Sequence, residues 1–140
     1  MSAQDAGRPR TVGAVTDEVE LRLPAEGAYL SVLRTATAGL AARLDFTLDE
    51  IEDLRIAVDE ACAMLLPEAT PGEPLVCRFS LDWDCLEVAV IATSRSGRPP
   101  ARDSFAWTVL TALAGEVDAS ADDDRVTVTL RKRRSWSASA

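Results

Sequence analysis

The sequence predicts an α/β protein of the α+β two-layer kind, in which helices cover one face of a mixed, mostly antiparallel sheet. Segments with apolar residues at alternate positions, typical of strands, are interspersed with segments of helical period. Their order, β-α-α-β-β-α-β, favours one layer of helices on one layer of sheet. The chain has 140 residues, the length of one domain with a core of its own.

Composition and charge exclude several classes of function. The chain has no histidine, which excludes a Ser-His-Asp triad, a histidine metal ligand and a phosphoryl-accepting histidine. The net charge of −8 argues against a nucleic acid and favours a basic protein as partner. No apolar run has the length of a membrane helix, and the cysteines form no Cys-x-x-Cys pair. We therefore expect a cytoplasmic protein that binds neither nucleic acid nor membranes.

The N-terminal third contains a tail, a strand and a helix. Residues 1–16 mix Gly, Pro, Ala and charged residues without a period, which predicts a disordered tail. Residues 18–23 alternate strictly and predict a strand that ends at Pro24. A leucine stripe of helical period then predicts a helix over residues 28–44.

The second helix begins at a capping box. In Thr47-Leu-Asp-Glu50 the threonine hydroxyl is placed to accept from a free backbone amide, and the glutamate reaches back to the cap residue. The helix is predicted to run to about Leu66, before Pro67. One face of this helix is apolar and is predicted to pack in the core: Ile51, Leu54, Val58, Cys62 and Leu65.

A hairpin and a third helix follow. Residues 75–81 and 86–90 alternate on either side of a turn at 82–84, which predicts a β-hairpin. A long loop over residues 93–103 then leads to a helix over residues 104–116.

The C-terminal end holds one more predicted strand. A turn of three aspartates at 122–124 precedes alternating apolar residues from Val126 to Leu130. We expect the folded domain to span residues 17–132 and a disordered tail to cover residues 133–140.

The outer side of the second helix carries the clearest candidate site. Asp53 and Glu60 lie away from the apolar face, but so do Ile56, Ala57 and Met64. Glu60 and Met64 are four residues apart and are therefore neighbours on the helix surface. A carboxylate framed by apolar side chains indicates the rim of a cavity or a partner surface. The alternative is an exposed carboxylate beside a small packing contact.

The run Leu54-Arg-Ile-Ala-Val-Asp-Glu-Ala-Cys62 resembles the N box of the GHKL ATPases, and in particular that of the anti-sigma factors that are also serine kinases. The segments 46–53 and 103–115 resemble the actinobacterial branch of these proteins, of the UshX and UsfX type. The resemblance covers residues 18–131. It implies the GHKL, or Bergerat, ATPase fold.

The resemblance implies ATP and Mg²⁺ as cofactors, yet the sequence departs from the active pattern. The active N box is Glu-x-x-x-Asn, with the glutamate as general base and the asparagine as Mg²⁺ ligand. Glu60 stands at the glutamate position. Met64 stands at the asparagine position, and its thioether does not bind a hard cation. No metal ligand is therefore expected.

The two glycine-containing elements of the family are also altered. The adenine-binding Asp-x-Gly-x-Gly loop corresponds to residues 91–97, where Thr93, Ser94 and Gly97 are the residues left to hold a nucleotide. The glycine-rich start of the last helix corresponds to residues 104–107, which contain no glycine. These departures predict that phosphoryl transfer is lost or strongly weakened.

The resemblance further implies partners. They are an RNA polymerase sigma factor, which the chain would sequester, and a STAS-domain anti-anti-sigma protein, which would compete for the same surface. It also implies a homodimer built by the region of the first helix. The partner-binding residues predicted are Arg34, Asp53 and Ile56.

Two alternative functions stay open. One is an active serine kinase that phosphorylates its antagonist, with Glu60 as base. The other is a ligand-sensing regulator whose altered pocket binds a small molecule. For that function Arg95, Arg98 and Arg102 are placed in the loop to meet an anionic group, or else serve solubility.

Overall fold

The computed structural model describes residues 17–135. They form five strands and three α-helices, which are β1 (Asp17–Pro24), α1 (Leu30–Arg43), α2 (Leu48–Leu65), β2 (Pro74–Leu81), β3 (Cys85–Thr93), α3 (Phe105–Ala114), β4 (Glu116–Asp122) and β5 (Arg125–Arg133). The strands lie side by side in the order β1-β2-β3-β5-β4. Every neighbouring pair is antiparallel, so the predicted α+β fold is confirmed and the sheet is not mixed.

The helices lie on one face of the sheet, and α2 is the middle one. Strand residues at alternate positions point to this face and are fully buried, among them Phe79, Val88 and Val128. α2 packs against both other helices and against β3 and β5. Within residues 17–135 the opposite face of the sheet carries no helix, and we call it the open face. It presents mainly charged and polar side chains such as Arg78, Glu87 and Arg131.

The capping box of α2 forms as predicted. The Thr47 hydroxyl accepts from the Glu50 amide at 3.1 Å, and the Glu50 carboxylate accepts from the Thr47 amide at 2.8 Å. Leu54, Val58, Cys62 and Leu65 are buried, which confirms these positions of the predicted core face, and Ile51 is partly buried. Ala57, predicted on the outer side, is also buried, because it lies close to the edge of the apolar stripe.

α1 begins two residues later than predicted. A short 3-10 turn over Gly27–Tyr29 precedes it, and the α-helix itself starts at Leu30. Leu33, Thr37 and Ala41 are its buried residues. The Thr37 hydroxyl donates to the Leu33 carbonyl at 2.8 Å, so this polar group is satisfied inside the core.

β4 is the strand that the sequence analysis missed. The third helix, predicted to continue to residue 116, ends at Ala114, and Gly115 follows with a φ of +90°. Glu116–Asp122 then forms a strand that pairs with β5 at the edge of the sheet formed by residues 17–135. Its inward residues include Val117 and Ala119, which are too small and too few to give a clear strand pattern.

The ordered domain extends beyond the predicted boundary at residue 132. β5 includes Arg133. The Arg134 amide donates to the Asp84 carbonyl at 2.8 Å, and the Ser135 amide donates to the Glu50 carboxylate at 2.7 Å. Residues 133–135 thus tie the end of the sheet to the start of α2. The predicted tails over residues 1–16 and 136–140 lie outside the described residues.

Candidate functional site

Glu60 and Met64 lie on the side of α2 that faces α3. Asp53 marks this side, because its carboxylate lies 3.7 Å from the Lys132 ammonium, which also donates to the Leu113 carbonyl of α3 at 2.7 Å. Glu60 is seven residues beyond Asp53, and Met64 is four residues further, so the three side chains follow one row along the helix. The predicted neighbourhood of Glu60 and Met64 is therefore retained.

A small cavity opens beside Met64. Its volume is about 260 Å³, and it is lined by Met64, Leu65, Glu68, Ser94, Ser96, Arg98, Pro99 and Pro100. Pockets that hold drug-sized ligands or cofactors usually measure about 300–1,000 Å³, so this one is too small for a whole nucleoside triphosphate. Glu60 lies one turn before Met64 and does not line the cavity.

The carboxylate of Glu60 is unengaged within the described part of the chain. It is half-buried, and residues 17–135 give its side chain neither a hydrogen bond nor an ion pair. A free carboxylate is available to accept a proton from a substrate hydroxyl. Within residues 17–135, however, no group of three or more acidic, cysteine or histidine side chains is placed to hold a metal ion. The Met64 thioether supplies no hard ligand either.

The loop residues predicted to hold a nucleotide are used in other ways. Ser94 is buried, its hydroxyl accepts from the Gly97 amide at 3.2 Å, and its own amide donates to the Asp124 carbonyl at 2.6 Å. Gly97 has a φ of +66°, and an added Cβ would lie 3.0 Å from the Asp123 carbonyl oxygen. These two residues therefore fix the loop against the β4–β5 turn.

Thr93 is not brought to this cavity. It follows the buried Ala92 in β3, so its side chain points to the open face, where it lines a different cavity. The sheet separates it from Glu60 and Met64. Strand alternation in the sequence contained this information, because Val88 and Val90 fix which positions of β3 face the core.

Two of the three loop arginines are bound within the chain. Arg95 donates to the Pro67 carbonyl at 2.8 Å. Arg102 donates to the Asp118 carboxylate at 2.6 Å, and its guanidinium lies 4.9 Å from the centre of the Trp107 ring. Arg98 is the one of the three that lines the small cavity. The set of three arginines predicted for an anionic ligand is thus reduced to one.

The start of α3 is capped by its own side chain. The Ser104 hydroxyl accepts from the Trp107 amide at 3.1 Å, which is one of the amides that a phosphate would otherwise use. The Phe105 side chain is 83% exposed, whereas Trp107 is buried. Mg-ATP therefore does not fit the residues present: the cavity is small, the metal ligand is missing and the phosphate-binding amide is already bonded.

Asp59 lies on the flank of α2 that faces α1. The Nε atom of Arg34 donates to both oxygens of its carboxylate, at 2.8 and 2.9 Å. Each side chain is 38% exposed. Sequence reasoning chose Arg34 but missed Asp59 as its partner, because the two residues are 25 positions apart and no spacing rule connects them.

Ile56 lies at the centre of the outward surface of α2. Its side chain is 42% exposed. The residues four and three positions before it, Glu52 and Asp53, and those three and four positions after it, Asp59 and Glu60, are all acidic and surround it on the helix surface. We call these four carboxylates the acidic ring. An exposed apolar side chain within such a ring has the composition of a contact for a basic partner.

Comparison with known proteins places the chain in a family. No family model matches it. A stretch of 78 residues is 42% identical to a protein named serine-protein kinase RsbW from Bacillus velezensis, and covers 53% of this chain and 48% of that protein. A longer match, to anti-sigma-F factor RsbW of Mycobacterium tuberculosis, is 38% identical over 118 residues and covers 83% of this chain and 67% of that protein. The chain belongs to the RsbW family.

The RsbW family membership confirms the resemblance inferred from the N box. The Bacillus subtilis protein of the same name is 41% identical over 78 residues. The chain spans about half the length of these Bacillus relatives.

The solved structures support the fold of an RsbW protein. A crystal structure of the RsbU and RsbW domains of Rv1364c from Mycobacterium tuberculosis matches with a TM-score of 0.68 and covers 86% of this chain and 33% of that one. At 18% identity the likeness concerns the fold alone. None of the helices within residues 17–135 combines the length and the hydropathy that crossing a membrane requires.

Proposed function

We propose that this chain is an anti-sigma factor that binds and sequesters an RNA polymerase sigma factor of stress response or development. A STAS-domain anti-anti-sigma protein would release the sigma factor by competing for the same surface. The observation that carries the proposal is the acidic ring around the exposed Ile56 side chain, on a chain of the RsbW family. Sigma factors carry basic helices that face DNA, and such helices complement a ring of carboxylates.

The acidic ring leaves room for incoming cations. Glu52 lies 3.0 Å from Arg55, one turn further along α2, in an exposed pair. Such a pair contributes little and exchanges readily with a competing cation. Asp53 has a longer contact, 3.7 Å, with the largely buried Lys132. Glu60 has no cation partner within residues 17–135. The ring is thus able to attract arginine or lysine side chains of a partner helix.

Arg34 is proposed to shape this surface from the side of α1. Its Nε atom holds Asp59 in place. The two terminal nitrogens of the guanidinium have no hydrogen bond within residues 17–135, so they remain available to an acidic or carbonyl group of a partner. Asp53 and Ile56 complete the set of proposed partner-binding residues.

A homodimer through α1 forms part of the proposal. The exposed positions of this helix are mostly small and uncharged: Ser31, Val32, Thr35, Gly39 and Ala42. A Cβ built at Gly39 meets no atom within 4 Å, so nothing inside the described chain requires a glycine there. Small side chains let a neighbouring helix approach closely, which supports a second copy of α1 as the neighbour.

The sigma-factor proposal is tested by direct binding. The purified chain is titrated, in calorimetry, against each purified alternative sigma factor of the source genome. We expect one of them to bind with a Kd of about 1 μM or tighter. Ile56→Lys should weaken this binding by about 30-fold or more, since a central apolar anchor is typically worth 2 kcal/mol or more. A purified STAS-domain protein should displace the sigma factor.

Leu48→Lys is the matched control. Leu48 is also an exposed apolar residue of α2, 83% exposed, but it lies outside the acidic ring. Its substitution should leave the affinity within about twofold, whereas the Ile56→Lys affinity falls. The proposal fails if no sigma factor binds, or if the two variants bind equally well.

The free carboxylate of Glu60 favours serine kinase activity as a second candidate function. Because Mg-ATP does not fit the residues present, our proposal does not include serine kinase activity. Calorimetry with Mg-ATP decides between them. We expect no binding up to about 1 mM nucleotide, in the wild type and in Met64→Asn alike. Binding of Mg-ATP, with transfer to a STAS-domain protein that Glu60→Gln abolishes, would establish the kinase instead.

A further inference from the structure

A second cavity lies on the open face of the sheet, on the side away from the helices. Its volume is about 450 Å³, within the range of small-molecule sites. Val76 and Ile91 form its floor, and they are register partners in neighbouring strands. Their side chains point away from the helices and would be exposed on a flat, uncovered sheet. They are nonetheless only 5% and 6% exposed, so the surrounding walls shield them.

The walls carry charge of both signs at both ends. Arg22 of β1 and Glu73 of the loop before β2 lie at one end, next to the paired residues Pro24 and Pro74. Asp124 of the β4–β5 turn and Arg125, the first residue of β5, lie at the other end. β1 and β5 are three strand spacings apart, which corresponds to about 14 Å between the two backbones. The cavity therefore has an apolar floor and two ends of mixed charge.

Several charged groups elsewhere on the open face are paired. Arg78 lies 3.1 Å from Glu20, and Arg131 lies 2.8 Å from Glu87. These pairs cross between neighbouring strands, as opposite charges on one sheet face usually do. Glu18 and Asp122, also on this face, have no ion pair within residues 17–135, so the neutralisation of charge on the rest of the open face is incomplete.

The groups around the cavity are different. The side chains of Glu73, Asp124 and Arg125 form neither an ion pair nor a side-chain hydrogen bond with any part of the chain that the structure describes. The Thr93 hydroxyl, which also lines the cavity, has no hydrogen bond there either. Arg22 has only a 3.7 Å contact with Glu20, a carboxylate that Arg78 also uses. Polar groups that converge on a shielded apolar floor, and that the chain itself leaves unused, are the pattern of a ligand site.

We propose that this cavity binds a small zwitterion with an aliphatic body, the chemistry of a free amino acid or a dipeptide. The carboxylate of the ligand pairs with Arg125 or Arg22, and its ammonium group pairs with the carboxylate at the same or the opposite end. Its aliphatic side chain packs on Val76 and Ile91. The cavity is on the sheet face opposite the acidic ring, so this inference does not rest on the proposed anti-sigma function.

Other ligand classes fit the walls less well. A purely anionic ligand would meet the carboxylates of Glu73 and Asp124, whose repulsion offsets the attraction of the arginines. A purely apolar ligand would desolvate four charged groups without pairing them, which is unfavourable. A ligand with one positive and one negative group satisfies both kinds of wall.

Titration followed by NMR tests the proposal. The full chain, labelled with ¹⁵N, is titrated with L-leucine and, separately, with the dipeptide L-alanyl-L-leucine. We expect saturable shifts of the amides of Val76, Ile91 and Arg125, with a Kd of about 1 mM or tighter for at least one probe, and no shift at Glu60. If leucine binds more tightly, the ligand carboxylate and ammonium groups both pair at the same end of the cavity. If the dipeptide binds more tightly, they pair at opposite ends. Absence of saturable shifts for both probes up to about 10 mM overturns the proposal.

Controls separate charge recognition from simple apolar contact. N-acetyl-leucine N-methylamide has the same side chain without either charge and should not shift these amides. Arg125→Ala should weaken the binding at least tenfold, while Arg98→Ala, which removes an arginine of the helix-side cavity, should not change it. Arg125 is exposed, so the variant should stay folded, and its amide spectrum verifies this. Equal binding of the uncharged analogue, or an unchanged affinity in Arg125→Ala, contradicts the proposal.

Discussion

Two consecutive carboxylates of helix α2 have opposite surroundings. Asp59 faces α1, where the Nε atom of Arg34 donates to both of its oxygens. Glu60 faces the side of α3, where its carboxylate has no partner within residues 17–135. The difference comes from the 100° turn between neighbouring helix residues, which sends them to different neighbours. Asp59 is thereby part of the structure, while Glu60 remains available for a partner or a substrate.

The inner and outer sides of α2 also differ in how far their apolar side chains are buried. Leu54 is fully buried against the sheet, whereas Ile56, two residues later, is 42% exposed within the acidic ring. Apolar character alone therefore does not reveal the role of a residue on α2. The side on which it lies decides whether it stabilises the fold or is free to bind.

Leu54→Ala should lower the free energy of unfolding by about 2–5 kcal/mol, because it leaves a cavity in the core. Ile56→Ala should change it much less, by about 0.5 kcal/mol, since its side chain is 42% exposed and lies outside the core. Urea denaturation of both variants measures the difference. Similar losses in the two variants would show that the outer side of α2 is also a packing surface.

Glu50→Ala should lower the free energy of unfolding by about 1 kcal/mol at pH 7, because it removes the carboxylate that accepts from the Thr47 amide in the capping box and from the Ser135 amide. Burial alone would raise the pKa of Glu50, but the hydrogen bonds from Thr47 and Ser135 together outweigh it and lower the pKa below its ordinary value of 4.5. The carboxylate therefore stabilises the fold fully above about pH 4.5, and this contribution is lost as the pH falls through the lowered pKa.

Glu50→Gln isolates the pH-dependent part, because the amide can still accept from the Thr47 backbone but does not titrate. Thermal melts between pH 3 and pH 7 should show a smaller acid-induced fall in Tm for this variant than for the wild type. The difference between the two falls should be a few degrees, which corresponds to about 1 kcal/mol. Parallel curves for the two proteins would mean that the Glu50 carboxylate has the same pKa in the folded and unfolded chains.

Asp59→Asn should lower the free energy of unfolding by up to about 1 kcal/mol, because it weakens the pair with Arg34, a pair that is partly exposed and hence screened. Glu60→Gln should be neutral to within about 0.5 kcal/mol. A double-mutant cycle with Arg34→Met should give a coupling energy for Asp59 and none for Glu60. Coupling of Arg34 to Glu60 would contradict the division between the two sides.

Gly39→Ala should raise the free energy of unfolding of the isolated chain by about 0.5–1 kcal/mol, because alanine favours the helix and the added methyl group meets no atom within 4 Å. If α1 also forms the dimer, the same variant should weaken dimerisation in analytical ultracentrifugation. Gly27→Ala is the control, because its added methyl group also meets no atom within 4 Å but lies in the 3-10 turn before α1. Destabilisation of the chain by Gly39→Ala would mean that α1 is packed more closely than described.

Local patterns predicted most of the elements because short-range interactions decide them. Thr47 and Glu50 fix the start of α2 through contacts three residues apart, and the apolar stripe from Leu54 to Leu65 fixes its inner side. β4 was not predicted, because its inward residues, such as Val117, are too small and too few to give a strand pattern. Pairing with β5 holds this edge strand in place. The extension of the ordered domain to Ser135 was not predicted either, because the Ser135 amide donates to Glu50, which is 85 residues away in the sequence.

By itself the sequence determined the α+β class and the family, since these depend on periodicity and on residue types at fixed spacings; the altered nucleotide site stays a prediction from the same residue types. Only the tertiary structure decided which groups meet. It paired Arg34 with Asp59 and enclosed Val76 and Ile91 between two loops. The physical reason is that such contacts join segments distant in the chain, and their geometry is set by the packing of helices and strands.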